Sequence, residues 1–151
     1  MNKILLSIVL VSFSTNVYSQ SAEDSVKKVI NNMFKAMKSS NSEKLLDCFA
    51  DSALLQTIIT NKEGKTEIKS QSAQAFAKML ASIEEDAADE RFFFNGIKID
   101  ENLAVVWAPY RFYYKKNFVH CGVNSFQLVR INGHWKIQYL IDTRRRENCM
   151  N

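Results

Sequence analysis

The sequence predicts an α+β domain in which N-terminal helices pack on a curved antiparallel sheet. Three observations predict it. In the first half of the chain, apolar residues recur at spacings of three and four, the mark of amphipathic helices. From Arg91 onward the chain turns aromatic and β-branched, in runs separated by short polar turns of the kind that join antiparallel neighbours. A helix stripe and a sheet face must each be buried, and one helical layer on one sheet satisfies both.

The N-terminus is read apart from that domain. Lys3 is followed by an apolar run from Ile4 to Phe13, broken only by Ser7 and Ser12, and then by polar residues, which is the layout of a secretory signal peptide. Ser19 suits the peptidase, so residues 1–19 are expected to be removed and residues 20–151 to form one exported domain, secreted or periplasmic. The run is about half the roughly 20 apolar residues that span a bilayer, and no second apolar segment follows, so no membrane partner is expected after cleavage. Removing Lys3 lowers the formal net charge from +4 to +3, too little to argue for a nucleic-acid or anionic-lipid partner. With 46% hydrophobic residues, ten Phe, five Tyr and two Trp, the chain has ample material for one core.

Val26, Val29, Ile30, Met33, Phe34 and Met37 form one helical stripe, capped by Asp24 or Ser25 and stopped by Ser39-Ser40-Asn41. Ser42 caps a shorter helix carrying Leu45, Leu46 and Phe49. Ala53 to Thr60 and Lys65 to Ser70 read as a hairpin turning at Asn61-Lys62-Glu63-Gly64, and Phe76, Met79, Leu80 and Ile83 mark a third helix from about Ser72 to Glu85. Four strands follow: Arg91 to Ile99, Leu103 to Tyr114, Phe118 to Ile131 and Trp135 to Thr143.

The last hairpin fixes the sheet faces. A two-residue Asn132-Gly133 turn sets Ile131 opposite His134 and, stepping back, Phe126 opposite Tyr139. Phe126, Leu128, Trp135, Ile137, Tyr139 and Ile141 then share the inner face with His120 and Asn124. The outer face takes Cys121, Val123, Gln127, Lys136, Leu140 and Asp142, a mixed surface suited to a homodimer contact. Pro109, the only proline, predicts a bulge in its strand that turns Trp107, Tyr110 and Phe112 together toward the inside; without a bulge the inward set is Trp107, Arg111 and Tyr113.

Several strings carry a likeness: Trp107-Ala108-Pro109-Tyr110-Arg111-Phe112, His120-Cys121-Gly122-Val123-Asn124-Ser125-Phe126, Gly133-His134-Trp135-Lys136-Ile137 and Asp142-Thr143-Arg144-Arg145. With the order of elements from Asp24 to Cys149, they resemble the nuclear-transport-factor-two-like superfamily, also called SnoaL-like, and its bacterial members labelled putative lumazine-binding. The resemblance implies a cone-shaped α+β fold whose sheet wraps a pocket. It implies no single activity, since the superfamily holds isomerases, dehydratases and cyclases beside non-catalytic binding proteins.

The chemical candidates are few. His120 and Cys121 are neighbours on a strand and point to opposite faces, so they cannot act as base and nucleophile to each other. A zinc site from His120, Cys121, His134 and Cys149 fails because the strand sets His134 on the order of 35 Å from His120. No metal and no cofactor is expected. Arg144-Arg145-Arg146, with Asp142 and Glu147 beside them, reads as a solvated or salt-bridged edge, and Asp142 as a residue without catalytic company. Three cysteines in an oxidising compartment allow at most one bridge; Cys48 reads as a buried helix filler, which leaves a Cys121–Cys149 disulfide.

What remains is a pocket for a small apolar or aromatic ligand. Trp107, Tyr110, Phe112 and Tyr139 are its expected walls, and His120 and Asn124 its polar groups. The enzymatic alternative is a hydrolyase, isomerase or cyclase with His120 as general base and Tyr110 polarising a substrate oxygen. A third class is a dimeric interaction module using the outer sheet face. The leader generates the first testable expectation: protein taken from its native compartment starts at Gln20, and an intact mass that retains residues 1–19 contradicts export.

Overall fold

The computed structural model describes residues 21–150, so the leader and its cleavage point after Ser19 lie outside them. Helix α1 (Ala22–Lys38) begins where Ser21 Oγ accepts the Asp24 N–H at 3.0 Å, one turn earlier than the stripe alone predicts. Asn41 rather than Ser42 caps α2 (Ser42–Leu46), its Oδ1 accepting the Lys44 N–H at 2.9 Å. Ser72 caps α3 (Ala73–Leu80) through the Ala75 N–H. Each cap satisfies a backbone donor that the first helical turn leaves without a partner.

Seven strands form one sheet: β1 (Phe49–Thr60), β2 (Thr66–Ser72), β3 (Ala88–Phe92), β4 (Gly96–Asp100), β5 (Leu103–Tyr114), β6 (Asn117–Ile131) and β7 (His134–Thr143). Their order is β2-β1-β7-β6-β5-β3, with β4 also on β5. The strand expected over Arg91 to Ile99 is two strands, which use successive stretches of the same β5 edge. One pair, β1 with β7, is parallel, so the sheet is mixed rather than wholly antiparallel. The helices cover its inner face. Val26, Ile30, Met33, Phe34 and Met37 of α1 are buried there, and the Phe34 ring meets the fully buried Phe126 edge-on at 6.2 Å.

Two register changes differ from the sequence reading. Pro109 causes no bulge: β5 runs unbroken against β6 from Leu103 to Phe112. Pro109 O accepts the Phe93 N–H, so its backbone polar edge faces the break between β3 and β4, where no ladder bond is lost. With alternation intact, Ala104, Val106, Ala108, Tyr110 and Phe112 point inward, and Trp107 points out, 47% exposed. Trp107 is therefore no wall of the pocket. The second change lies in β7, where Leu128 faces Ile137 but Gln127 faces Tyr139. Gln138 is the extra residue of this bulge, and its amide donates to Ser52 O on β1 at 3.2 Å. Beyond it the faces exchange. Trp135 and Ile137 stay inward as expected, whereas Leu140 and Asp142 turn in and Tyr139 and Ile141 turn out.

The hairpin register without a bulge would set Cys121 opposite Arg144; the same one-residue shift sets it against Arg145. The expected bridge forms: Cys121 and Cys149 are disulfide-bonded, with Cα atoms 5.7 Å apart, while Cys48 is free and buried. The bond and the paired backbone hydrogen bonds between Cys121 and Arg145 hold the C-terminal tail against β6.

Candidate functional site

Between α1, α3 and the curved sheet lies a cavity of about 290 Å³. Its apolar wall is Met33, Phe34 and Met37 from α1, Phe76 and Leu80 from α3, and Leu55 and Leu140 from the sheet. The polar end is formed by Glu90 on β3, Tyr110 on β5, His120 and Asn124 on β6, Asp142 on β7, Thr57 on β1 and Arg144 beyond β7. Of the residues expected in the pocket, Tyr110, Phe112, His120 and Asn124 are brought together. Trp107 and Tyr139 are not; the Tyr139 hydroxyl instead donates to Gln56 Oε1 at 2.6 Å.

Asp142 is the hub. It is 8% exposed and accepts hydrogen bonds from Thr57 Oγ1 at 2.6 Å, from Arg144 Nε at 2.9 Å and from Tyr110 Oη at 3.0 Å. The tie joins β1, β5, β7 and the tail; Arg144 is salt-bridged to Asp142, one of the two forms expected of this edge, but the pair lines the cavity instead of lying on a solvated surface. Tyr110 Oη lies equally close to Thr143 O, at 3.0 Å. Gly122 makes room for this approach, because a Cβ there would fall 1.7 Å from Thr143 O and 3.0 Å from the Tyr110 ring. No other residue fits without moving the backbone of β7.

The Tyr110 hydroxyl is thereby committed. Burial, and then the Asp142 and Glu90 carboxyls beside it, push its pKa far above the usual phenol. It is not free to polarise a substrate oxygen, the role expected of it as a catalytic candidate. His120 packs edge-on to Tyr110 at 5.7 Å and tilted against Phe112 at 5.1 Å. Burial, helped by the Arg144 charge, lowers its pKa to about 4, so it is neutral at neutral pH and a weak base. Arg144 keeps its proton more firmly than usual: burial, the largest single influence, opposes the charge, but the Asp142 hydrogen bond and the negative charge of Asp142 and its neighbours together outweigh it.

Asn124 is 4% exposed and donates from Nδ2 to Glu90 Oε1 at 2.7 Å. Burial drives the Glu90 pKa up to about 8, against the pull of the Asn124 bond. Glu90, Asp142, Arg144 and Thr57 were missed in the sequence. Glu90 was within reach, since Ala88, Glu90 and Phe92 alternate inward once the strand begins at Ala88. Asp142 was not, because the bulge that turns it inward leaves no Gly or Pro in β7. Among the described residues no group of three His, Cys, Asp or Glu converges to hold a metal ion, and no helix is long and apolar enough to cross a membrane.

A layer of helices on a curved, unclosed mixed sheet around a part-polar cavity is the architecture of nuclear-transport-factor-two-like proteins. The chain belongs to the family described as putative lumazine-binding, which matches residues 21–139. Solved structures agree on the fold. An NTF2-like protein of unknown function from Shewanella baltica OS155 superposes with a TM-score of 0.65 at 12% identity, covering 85% of this chain and 100% of its own. One from Silicibacter pomeroyi DSS-3 gives 0.63 at 15% identity, covering 80% and 93%. A protein of unknown function with a cystatin-like fold from Nostoc punctiforme PCC 73102 gives 0.64 at 16%, covering 84% and 95%. No curated protein matches the chain.

The hub generates a stability prediction. Asp142→Ala removes the ion-pair partner of Arg144 and the acceptor shared by Thr57 and Tyr110, at an expected cost of about 3 kcal/mol in urea unfolding. A loss well under about 1 kcal/mol contradicts the hub.

Proposed function

We propose that this is an exported small-molecule-binding protein whose ligand occupies the cavity between α1, α3 and the sheet. The observation that carries the reading is the cavity's composition: a mostly apolar chamber with polar groups gathered at one end, the usual design of a small-molecule site. Phe112 and the Tyr110 ring are its aromatic surfaces, and His120, Asn124 and Glu90 its polar contacts. Met33, Met37 and Phe76 offer an adaptable apolar wall, since Met side chains refill irregular space at little cost. Lumazine, the ligand in the family's description, is one heteroaromatic candidate. The hydrolyase, isomerase or cyclase alternative loses support from the committed Tyr110 hydroxyl and the weakly basic His120.

N-phenyl-1-naphthylamine, an uncharged probe that fluoresces in apolar surroundings, is expected to bind at one site per chain. Ala88 is buried and lines the cavity, so the larger side chain of Ala88→Phe takes up ligand space. Undiminished probe binding by folded Ala88→Phe contradicts the cavity as the site.

A homodimer through the outer sheet face is a second part of the proposal. The observation favouring it is the exposure of Leu54, Leu103, Val105 and Trp107, side chains that alternate outward from β1 and β5 and are costly to leave in water. Sedimentation is expected to show a dimer that Trp107→Glu dissociates. A wild-type monomer at about 0.1 mM contradicts it.

A further inference from the structure

The cavity presents two carboxyl groups in unequal company. Asp142 has its three donors, one of them a guanidinium. Glu90 receives one hydrogen bond, from a neutral amide, and that bond uses Oε1 alone. Among the described residues Glu90 makes no ion pair. No buried side-chain oxygen or nitrogen there lacks a partner, so Oε2 opens on the cavity.

The groups that face Glu90 can be named element by element. From β7 and the tail come Asp142 and Arg144, already paired; from β6, His120 and Asn124; from β5, the Tyr110 hydroxyl and the Phe112 ring. Helix α1 contributes only Met33, Phe34 and Met37 to the cavity, and α3 only apolar side chains. On its own strand Asp89 and Arg91 alternate to the other face, where they pair with each other and Asp89 also pairs with Lys38. No cation is left over for Glu90.

We propose that Glu90 is the ligand-selecting acid of the cavity: as a neutral carboxylic acid it donates its Oε2 hydrogen to a carbonyl oxygen or ring nitrogen of an uncharged, largely apolar ligand. This rests on the cavity being the ligand site. With Asp142 balanced by Arg144, His120 neutral and Glu90 protonated, the chamber carries no net charge. A cationic ligand would surrender its hydration and meet a carboxylate that must first ionise in apolar surroundings; an anionic ligand would meet Asp142 and an arginine already engaged. An uncharged acceptor meets neither cost.

The pH dependence follows from the sign of the shift. Burial raises the Glu90 pKa to about 8, so the donor is present below that pH and is lost above it. Affinity for an uncharged acceptor is expected to be flat from about pH 6 to about pH 8 and then to fall about tenfold per unit.

The test uses prodan, an uncharged naphthalene ketone whose fluorescence reports polarity and hydrogen bonding at its carbonyl. It is titrated between about pH 6 and about pH 10 into wild type, Glu90→Gln and Glu90→Leu, with 2-naphthylmethylamine as the cationic comparison and circular dichroism confirming the fold. Wild type is expected to lose affinity above about pH 8, Glu90→Gln to bind with no such loss because its amide keeps an N–H donor, and Glu90→Leu to bind about tenfold more weakly below pH 8. Prodan affinity in wild type that is unchanged to about pH 10, or tighter binding of the amine, overturns the assignment of Glu90 while leaving the cavity as the site. Binding of neither compound at any pH overturns the cavity reading, and this one with it.

Discussion

The site depends on one extra residue in β7. Gln138 sits between the Leu128 to Ile137 and the Gln127 to Tyr139 pairings, and a strand that gains one residue exchanges its faces. Before the bulge, β7 contributes Trp135 and Ile137 to the apolar base of the cone; beyond it, Leu140 and Asp142. The chamber therefore changes from apolar to polar along a single strand. The bulge is held from the side by the Gln138 amide on Ser52, next to the register shift in β1 between Phe49 and Leu54. The two irregularities form a joint between the only parallel strands of the sheet.

Once Asp142 is turned inward, its burial has to be compensated. Thr57, Tyr110 and Arg144 do this from β1, β5 and the tail, and the compensation has structural consequences. Tyr110 reaches Asp142 only across a residue without a side chain, which is the place of Gly122. Arg144 is kept near by the tail, and the tail by Cys121 and Cys149. An acid that takes every nearby donor leaves none for the next one. Glu90, with a single amide for company, is the group whose hydrogen bonding the protein does not complete, and that incompleteness is what gives the cavity a chemical preference.

The fold was largely legible in the sequence. The stripe from Val26 to Met37 and the Asn132-Gly133 turn are local signals, set by periodicity and by the positive φ of both turn residues, and they placed α1 and the β6–β7 register near the turn correctly. The parallel β1–β7 pair was not legible, because nothing local in Phe49 to Thr60 records which strand it meets. Pro109 misled for a related reason: its cost depends on what its backbone edge faces, and here that is the gap between β3 and β4. The site was half legible. His120 and Asn124 follow from alternation outside the β7 bulge; Tyr110 and Phe112 face inward as expected but through plain alternation rather than a Pro109 bulge, so Trp107 does not join them; Tyr139 and Asp142 lie beyond the β7 bulge and are exchanged.

The central claim is that the cone is a chamber kept open for a guest. The most direct measurement is a crystal structure of the protein grown with prodan at saturating concentration. The account predicts ligand density between Met33, Met37 and Phe76, with the ketone oxygen at hydrogen-bond distance from Glu90 Oε2. A cone filled by the side chains of α1 and α3, with the naphthalene only on the outer sheet face, would contradict it.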